Sequence, residues 1–78
     1  MNKARRSRLG DIAEQLENLY EDIEAVASDE REAYDNLPES LQESERGCMM
    51  EEAADELDDI CSELDCLRDR IQEVIDTY

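Results

Sequence analysis

Histidine, tryptophan and phenylalanine are all absent from this chain of 78 residues, and its only aromatic side chains are Tyr20, Tyr34 and Tyr78. Without large aromatic rings, a compact globular core has lost its usual main source of buried area. Without histidine, the chain lacks the commonest general base at neutral pH and the commonest metal ligand. No CxxC pair, EF-hand loop, glycine-rich phosphate loop or Glu-x-x-His motif of di-iron bundles occurs. Long apolar runs are missing too. The basic start MNKARRSR has no apolar segment behind it, so the sequence predicts neither a secretion signal nor a membrane span.

Positive charge is scarce: eight Lys and Arg stand against 24 Asp and Glu, for a formal net charge of −16. Lys3, Arg5, Arg6 and Arg8 are half of the bases, and every acid follows Gly10. Residues 9–78 therefore hold four bases against 24 acids, a net −20. Such a surface repels nucleic acids and anionic membranes and attracts basic protein surfaces. Direct binding to nucleic acid or to a membrane is not expected.

The cysteines, Cys48, Cys61 and Cys66, are odd in number and fall in one expected helix. Along a helix Cys48 and Cys66 stand about 27 Å apart, far beyond disulfide reach. A reducing, cytoplasmic environment is the expectation.

What the chain does have is apolar residues spaced by three and four. With Leu9 as position a of a heptad, Leu9, Leu16, Ile23 and Leu37 fall at a, and Ile12, Leu19, Val26 and Ala33 at d. Ala13, Tyr20, Ala27 and Tyr34 make a semi-apolar flank at e, and Glu30 is the one misfit, at a. Pro38 and its predecessor close this run. A second run places Met50, Leu57, Leu64, Ile71 and Tyr78 at a, and Ala53, Ile60, Leu67 and Val74 at d, with Ala54, Cys61 and Ile75 at e. The pattern predicts helix one over about 3–36, a structured turn over 37–44 and helix two over about 45–77. Ser40 with Glu43 is a candidate capping box, and Ser44 a second candidate N-cap. So short a connection makes the helices antiparallel neighbours.

The expected fold is thus all-α, an antiparallel two-helix hairpin in one domain. Its core and self-association residues are Leu9, Ile12, Leu16, Leu19, Ile23 and Val26 on helix one, and Leu57, Ile60, Leu64, Leu67, Ile71 and Val74 on helix two. A stripe spanning a, d and e exceeds what one partner helix can cover, so the e flank is expected half exposed and the hairpin to dimerise into a four-helix bundle. Arg5, Arg6 and Arg8 are expected to meet Glu73, Asp76 and the negative end of helix two, and Glu30 to pair with an arginine such as Arg46.

No nucleophile has a base beside it, and almost all the carboxylates fall at solvated positions, whereas general acid–base chemistry needs a partly buried carboxyl. Glu30 is the one exception, and an ion pair is its expected role. A non-enzymatic protein without cofactor or metal follows. Ordinary soluble bundles alternate Lys with Glu, because like charges one turn apart destabilise helices. Between Glu51 and Asp65 there are eight acids and no base. Glu51, Glu52, Asp55, Asp58, Asp59 and Glu63 are therefore candidate partner-binding residues, offering a rod of carboxylates to a groove built for nucleic acid. The plainer alternative is a solvated face that keeps the protein in solution. Cys61 reads as a small buried hydrophobe, Cys48 and Cys66 as outward thiols, and Met49 and Met50 as packing for the hairpin tip or contacts for a partner.

The stretch Ala33–Gly47, AYDNLPESLQESERG, followed by MEEAADELDDI, resembles a group of small acidic helical-hairpin proteins of Firmicutes phages and prophages. The Tyr-Asp-Asn-Leu-Pro-Glu-Ser-Leu-Gln turn is its specific part, and Cys48 departs from the pattern where an acid is expected. The resemblance implies no enzymatic role. It implies an accessory or host-takeover protein, for which mimicry of nucleic-acid charge and inhibition of a nucleic-acid-binding defence protein are natural roles. A self-assembling structural or scaffolding coiled coil is the alternative.

A net −20 over residues 9–78 implies self-repulsion in the folded state. The melting temperature is expected to rise from low to moderate salt, and on mild acidification towards the isoelectric point near 4.1. A fall with added salt, followed by circular dichroism, would show specific ion pairs outweighing repulsion.

Overall fold

A computed structural model describes all 78 residues, Met1–Tyr78. Helices α1 (Lys3–Asp35), α2 (Glu39–Gln42) and α3 (Glu45–Thr77) contain 33, 4 and 33 residues and account for nearly the whole chain. α1 and α3 pack side by side and antiparallel, as the contacts Arg31–Asp58, Glu17–Arg68 and Met1–Tyr78 require. The radius of gyration is 17.6 Å, against about 11.5 Å for a compact domain of this length. The exposed surface is 5991 Å², against roughly 4,900 Å² for a compact protein of 9.0 kDa. A rod of two helices leaves about half of each helix in water.

The turn is built by local hydrogen bonds. Gln42 of α2 reaches back with its side-chain amide, Nε2 donating to the carbonyls of Tyr34 at 3.2 Å and Leu37 at 3.3 Å. The amide thereby ties α2 to the carbonyls at and just beyond the end of α1, that of Tyr34 also accepting from Leu37 N at 3.0 Å. α3 starts at Ser44, whose Oγ accepts from Gly47 N at 3.3 Å and donates to the Leu41 carbonyl. The Ser40–Glu43 capping box does not form. Ser40 lies inside α2, whose first turn follows Pro38 with no side-chain cap. At the other end Asn2 caps α1, its Oδ1 accepting from Arg5 N at 2.8 Å.

Gly47 is there for space and not for an unusual backbone conformation, since no residue has positive φ. A Cβ at this position would sit 2.6 Å from the Leu41 carbonyl oxygen and closer still to that of Gln42. The backbone of α2 packs directly onto the first turn of α3.

The seam between the long helices differs from the expected a/d seam. The buried residues are Ala13, Ala27, Gly47, Ala54 and Cys61, and all five fall at position e. The a residues Leu9, Leu16, Ile23, Leu57, Leu64 and Ile71 are half-buried beside them. The d residues Ile12, Leu19, Val26, Ile60, Leu67 and Val74 are exposed. Ala27 and Ala54 are each 1% exposed, whereas Val26 is 56% exposed and Leu19 49%. The e flank, expected half exposed, is the inside of the hairpin, and the d row, expected in its core, is outside. Small side chains at e explain this, because helix axes come closest where the facing residues are small. Cys61 Sγ lies 3.7 Å from the Tyr20 carbonyl oxygen, so a large e residue of α1 is matched to a small one of α3.

Two expected ion pairs are absent. Arg5, Arg6 and Arg8 have no carboxylate within salt-bridge distance, and neither has Arg46, so Glu30 is not its partner. At the open end the contact is instead the Met1 amino group donating to the Tyr78 carbonyl at 2.7 Å. The basic first turn of α1 opposes that helix's own dipole. Antiparallel packing sets it beside the C-terminus of α3, where a positive charge is favoured.

Ala54→Leu is expected to overfill the seam and cost about 1–3 kcal/mol, and Gly47→Ala to loosen the turn by displacing α2. Equilibrium denaturation in urea checks both; an Ala54→Leu protein as stable as the parent would contradict the small-residue seam.

Candidate interaction surface

Each helical residue turns the chain by about 100°. With the seam between a and e, the d row lies to one side of it and the b row to the other. Antiparallel pairing places the two d rows on the same side of the hairpin and the two b rows together on the opposite side. The hairpin therefore has two unlike faces.

The b face is ionic. Arg31 lies 2.6 Å from Asp58 and 3.0 Å from Asp55, and Arg68 lies 2.8 Å from Asp65, 3.5 Å from Asp69 and 3.8 Å from Glu17. Two arginines thus bridge the helices through three exposed carboxylates, Asp55, Asp58 and Glu17. Arg68 also meets two acids of its own helix. In this geometry each pair contributes little on its own. The hydrogen bond from Arg31 to Asp58 raises the guanidinium pKa further, against the opposing effect of burial. The other 19 of the 24 carboxylates have no ion-pair partner.

All six candidate binding acids are exposed, but they do not share one face. Glu51 and Asp58 are at b on the ionic side, with Asp55 next to them at f. Glu52 and Asp59, at c, point directly away from α1, and Glu63, at g, borders the apolar side. Asp55 and Asp58 are already engaged by Arg31. The six wrap the outer half of α3 as a curved acidic surface.

The d face is apolar along its length. Ile12, Leu19 and Val26 of α1 run beside Val74, Leu67 and Ile60 of α3, and all six are exposed. Shallow grooves follow this face. Leu9, Leu67, Ile71 and Val74 line one at the open end together with Arg70 and Glu73. Arg5, Arg8, Leu9 and Ile12 line a second. Near the turn, Glu30, Glu45, Arg46, Met49 and Met50 line a third. An apolar strip on so small a protein is a candidate association surface. Its sequence signal was the recurrence of small residues at e on both helices, which reassigns the seam from a/d to a/e and turns the d row outward.

No group of three His, Cys, Asp or Glu is arranged to hold a metal ion. Cys48 and Cys66 are exposed and Cys61 is buried. Burial, with Glu24 and Asp58 nearby, pushes the Cys61 thiol pKa up. Glu24 raises that of the Tyr20 phenol, and burial followed by Glu51 that of Tyr34. No helix is long and apolar enough to cross a membrane. No protein-family model, curated protein or solved structure matches the chain.

Cys61, Tyr20 and Tyr34 all favour their neutral, protonated forms in the folded state. Their contribution is complete below the unfolded thiol and phenol values, about 8.5 and 10, and is lost as pH rises through the higher folded values. The melting temperature is expected to fall above about pH 8.5, and less so in Cys61→Ala. A melting temperature unchanged up to strongly alkaline pH would contradict the packing of these three groups in the seam.

Proposed function

We propose that the chain is a non-enzymatic acidic protein-binding module, a hairpin that associates with its own copy and presents carboxylates to a basic surface on a nucleic-acid-handling protein. The observation that carries this reading is the outer half of α3, where eight acids between Glu51 and Asp65 are interrupted by no Lys or Arg, and only Asp55, Asp58 and Asp65 among them have an ion-pair partner. Carboxylates one turn apart lie about 5–6 Å from each other on a rigid helix, comparable with neighbouring phosphates on a nucleic-acid strand. The fit is to a groove that grips a backbone by charge, since the acids curve around a cylinder and do not form a flat patch. The resemblance of the turn to small acidic hairpins of Firmicutes phages agrees with an accessory protein that blocks a host defence enzyme in the bacterial cytoplasm.

A second reading, a self-assembling scaffold, is favoured by the exposed d row. In that case the acids only keep the assembly in solution, and self-association is the function itself.

Replacing Glu51, Glu52, Asp55, Asp58, Asp59 and Glu63 by Gln or Asn separates the two. The substitutions nearly preserve volume, and relief of like-charge repulsion offsets the lower helix propensity of Asn. Capture of a basic protein from bacterial lysate is expected at low salt, with displacement by DNA. Binding should fall by orders of magnitude in the neutralised variant, chiefly through slower association. Capture that survives neutralisation and high salt would contradict charge mimicry and leave the scaffold reading.

A further inference from the structure

We infer that the d face of the hairpin is covered by the same face of a second copy lying head to tail, with the turn of each hairpin over the open end of the other. This rests on the self-association proposed above and specifies its surface and direction.

Three observations carry it. The first is area. The hairpin extends 59 Å by 15 Å, a face of about 900 Å², and a stable dimer buries roughly 800 Å² on each partner. No side chain larger than Ala or Cys is buried within a single hairpin, so the face is large enough for such a contact and its apolar side chains are otherwise uncovered.

The second is symmetry. In the d row of α1, Ile12, Leu19 and Val26 are centred on Leu19, with Ala33 left beyond them towards the turn, and the row Ala53, Ile60, Leu67, Val74 is centred between Ile60 and Leu67. The Cys61–Tyr20 contact places these centres at nearly the same height along the rod. One two-fold axis perpendicular to the rod therefore aligns both rows at once. Leu19 meets the partner's Leu19, Ile12 the partner's Val26, and Ile60 the partner's Leu67. Such an isologous contact closes as a dimer and does not propagate.

The third is charge along the face. At the open end the apolar grooves are bordered by Arg5, Arg8 and Arg70, none of which has an ion-pair partner in its own chain. Towards the turn the border carries Glu30 and Glu45, with Arg46 the one base among them. Head-to-tail stacking brings Arg8 level with the partner's Glu30. Parallel stacking would put Arg8 beside the partner's Arg70, a like-charge contact that costs association. Glu63 approaches its own copy near the axis in the head-to-tail dimer, a local repulsion that moderate salt relieves.

The test uses the full chain with Cys48→Ser and Cys66→Ser, to remove the exposed thiols, and with Leu19→Cys added. Sedimentation equilibrium under reducing conditions first determines whether the Cys48→Ser/Cys66→Ser chain, before Leu19→Cys is added, is a dimer at micromolar concentration. Mild oxidation of the Leu19→Cys chain should then link most of it as interchain disulfide dimers, because only the head-to-tail axis brings position 19 against itself. In the original background, Arg8→Glu should weaken the dimer about tenfold at low salt, and adding Glu30→Arg should restore it. A monomer at every concentration would overturn self-association altogether. A dimer that fails to cross-link through Leu19→Cys, or that tightens on Arg8→Glu, would overturn the head-to-tail face while leaving self-association in place.

Discussion

The close approach of two helix backbones along a row of small residues is the constraint on which the rest of this structure depends. Ala13, Ala27, Gly47, Ala54 and Cys61 all lie at one heptad position, and they are the only residues taken out of solvent. Because these side chains are small, the seam is narrow. The larger aliphatic residues at a can only flank it, and those at d are turned out of it altogether. The arrangement stabilises little by area alone, since burying an alanine removes far less apolar surface than burying a leucine. The hairpin compensates with local order: Asn2 and Ser44 at the helix starts, Gln42 across the end of α1, and Gly47 under α2.

Two consequences follow from the narrow seam. Electrostatically, it brings the b rows within reach of each other, so Arg31 and Arg68 bridge the helices and partly neutralise a face that would otherwise repel itself. On the other side it leaves a two-row apolar strip with unpaired arginines at one end and carboxylates towards the other. A chain that buries so little of its apolar content alone is expected to be completed by association. Glu52 and Asp59 face away from the apolar strip and have no ion-pair partner, whereas Asp55 and Asp58 are held by Arg31 and Glu63 borders the strip.

Much of this organisation was legible in the sequence. The three-and-four spacing marks both long helices, and Pro38 with the Ser44 cap marks the break between them to within a residue or two. The seam was harder to read, because Leu, Ile and Val at a and d outweigh Ala at e in any count of hydrophobicity. The relevant signal was steric: Ala, Gly and Cys recurring at one position on both helices describe a surface where backbones meet. The role of Gly47 as the docking point for α2 depends on a tertiary contact with Leu41 and Gln42 that spacing along the chain does not show. The candidate acids were legible as exposed, but their spread around α3 was not, since heptad letters do not show which side the ionic bridges occupy. Arg5, Arg6 and Arg8 read as partners of Glu73 and Asp76. Proximity of two helix ends does not by itself bring long exposed side chains together.

Val26 and Ala27, neighbours in sequence, lie on opposite sides of the solvent boundary. Single thiols introduced by Val26→Cys and by Ala27→Cys, each in a chain whose own three cysteines are replaced, test this directly through their rate of reaction with a maleimide at monomeric dilution. The thiol at 26 is expected to react like a free small thiol, and the thiol at 27 orders of magnitude more slowly until the protein unfolds. Equal rates, or faster reaction at 27, would contradict the small-residue seam and return the d row to the core of the hairpin.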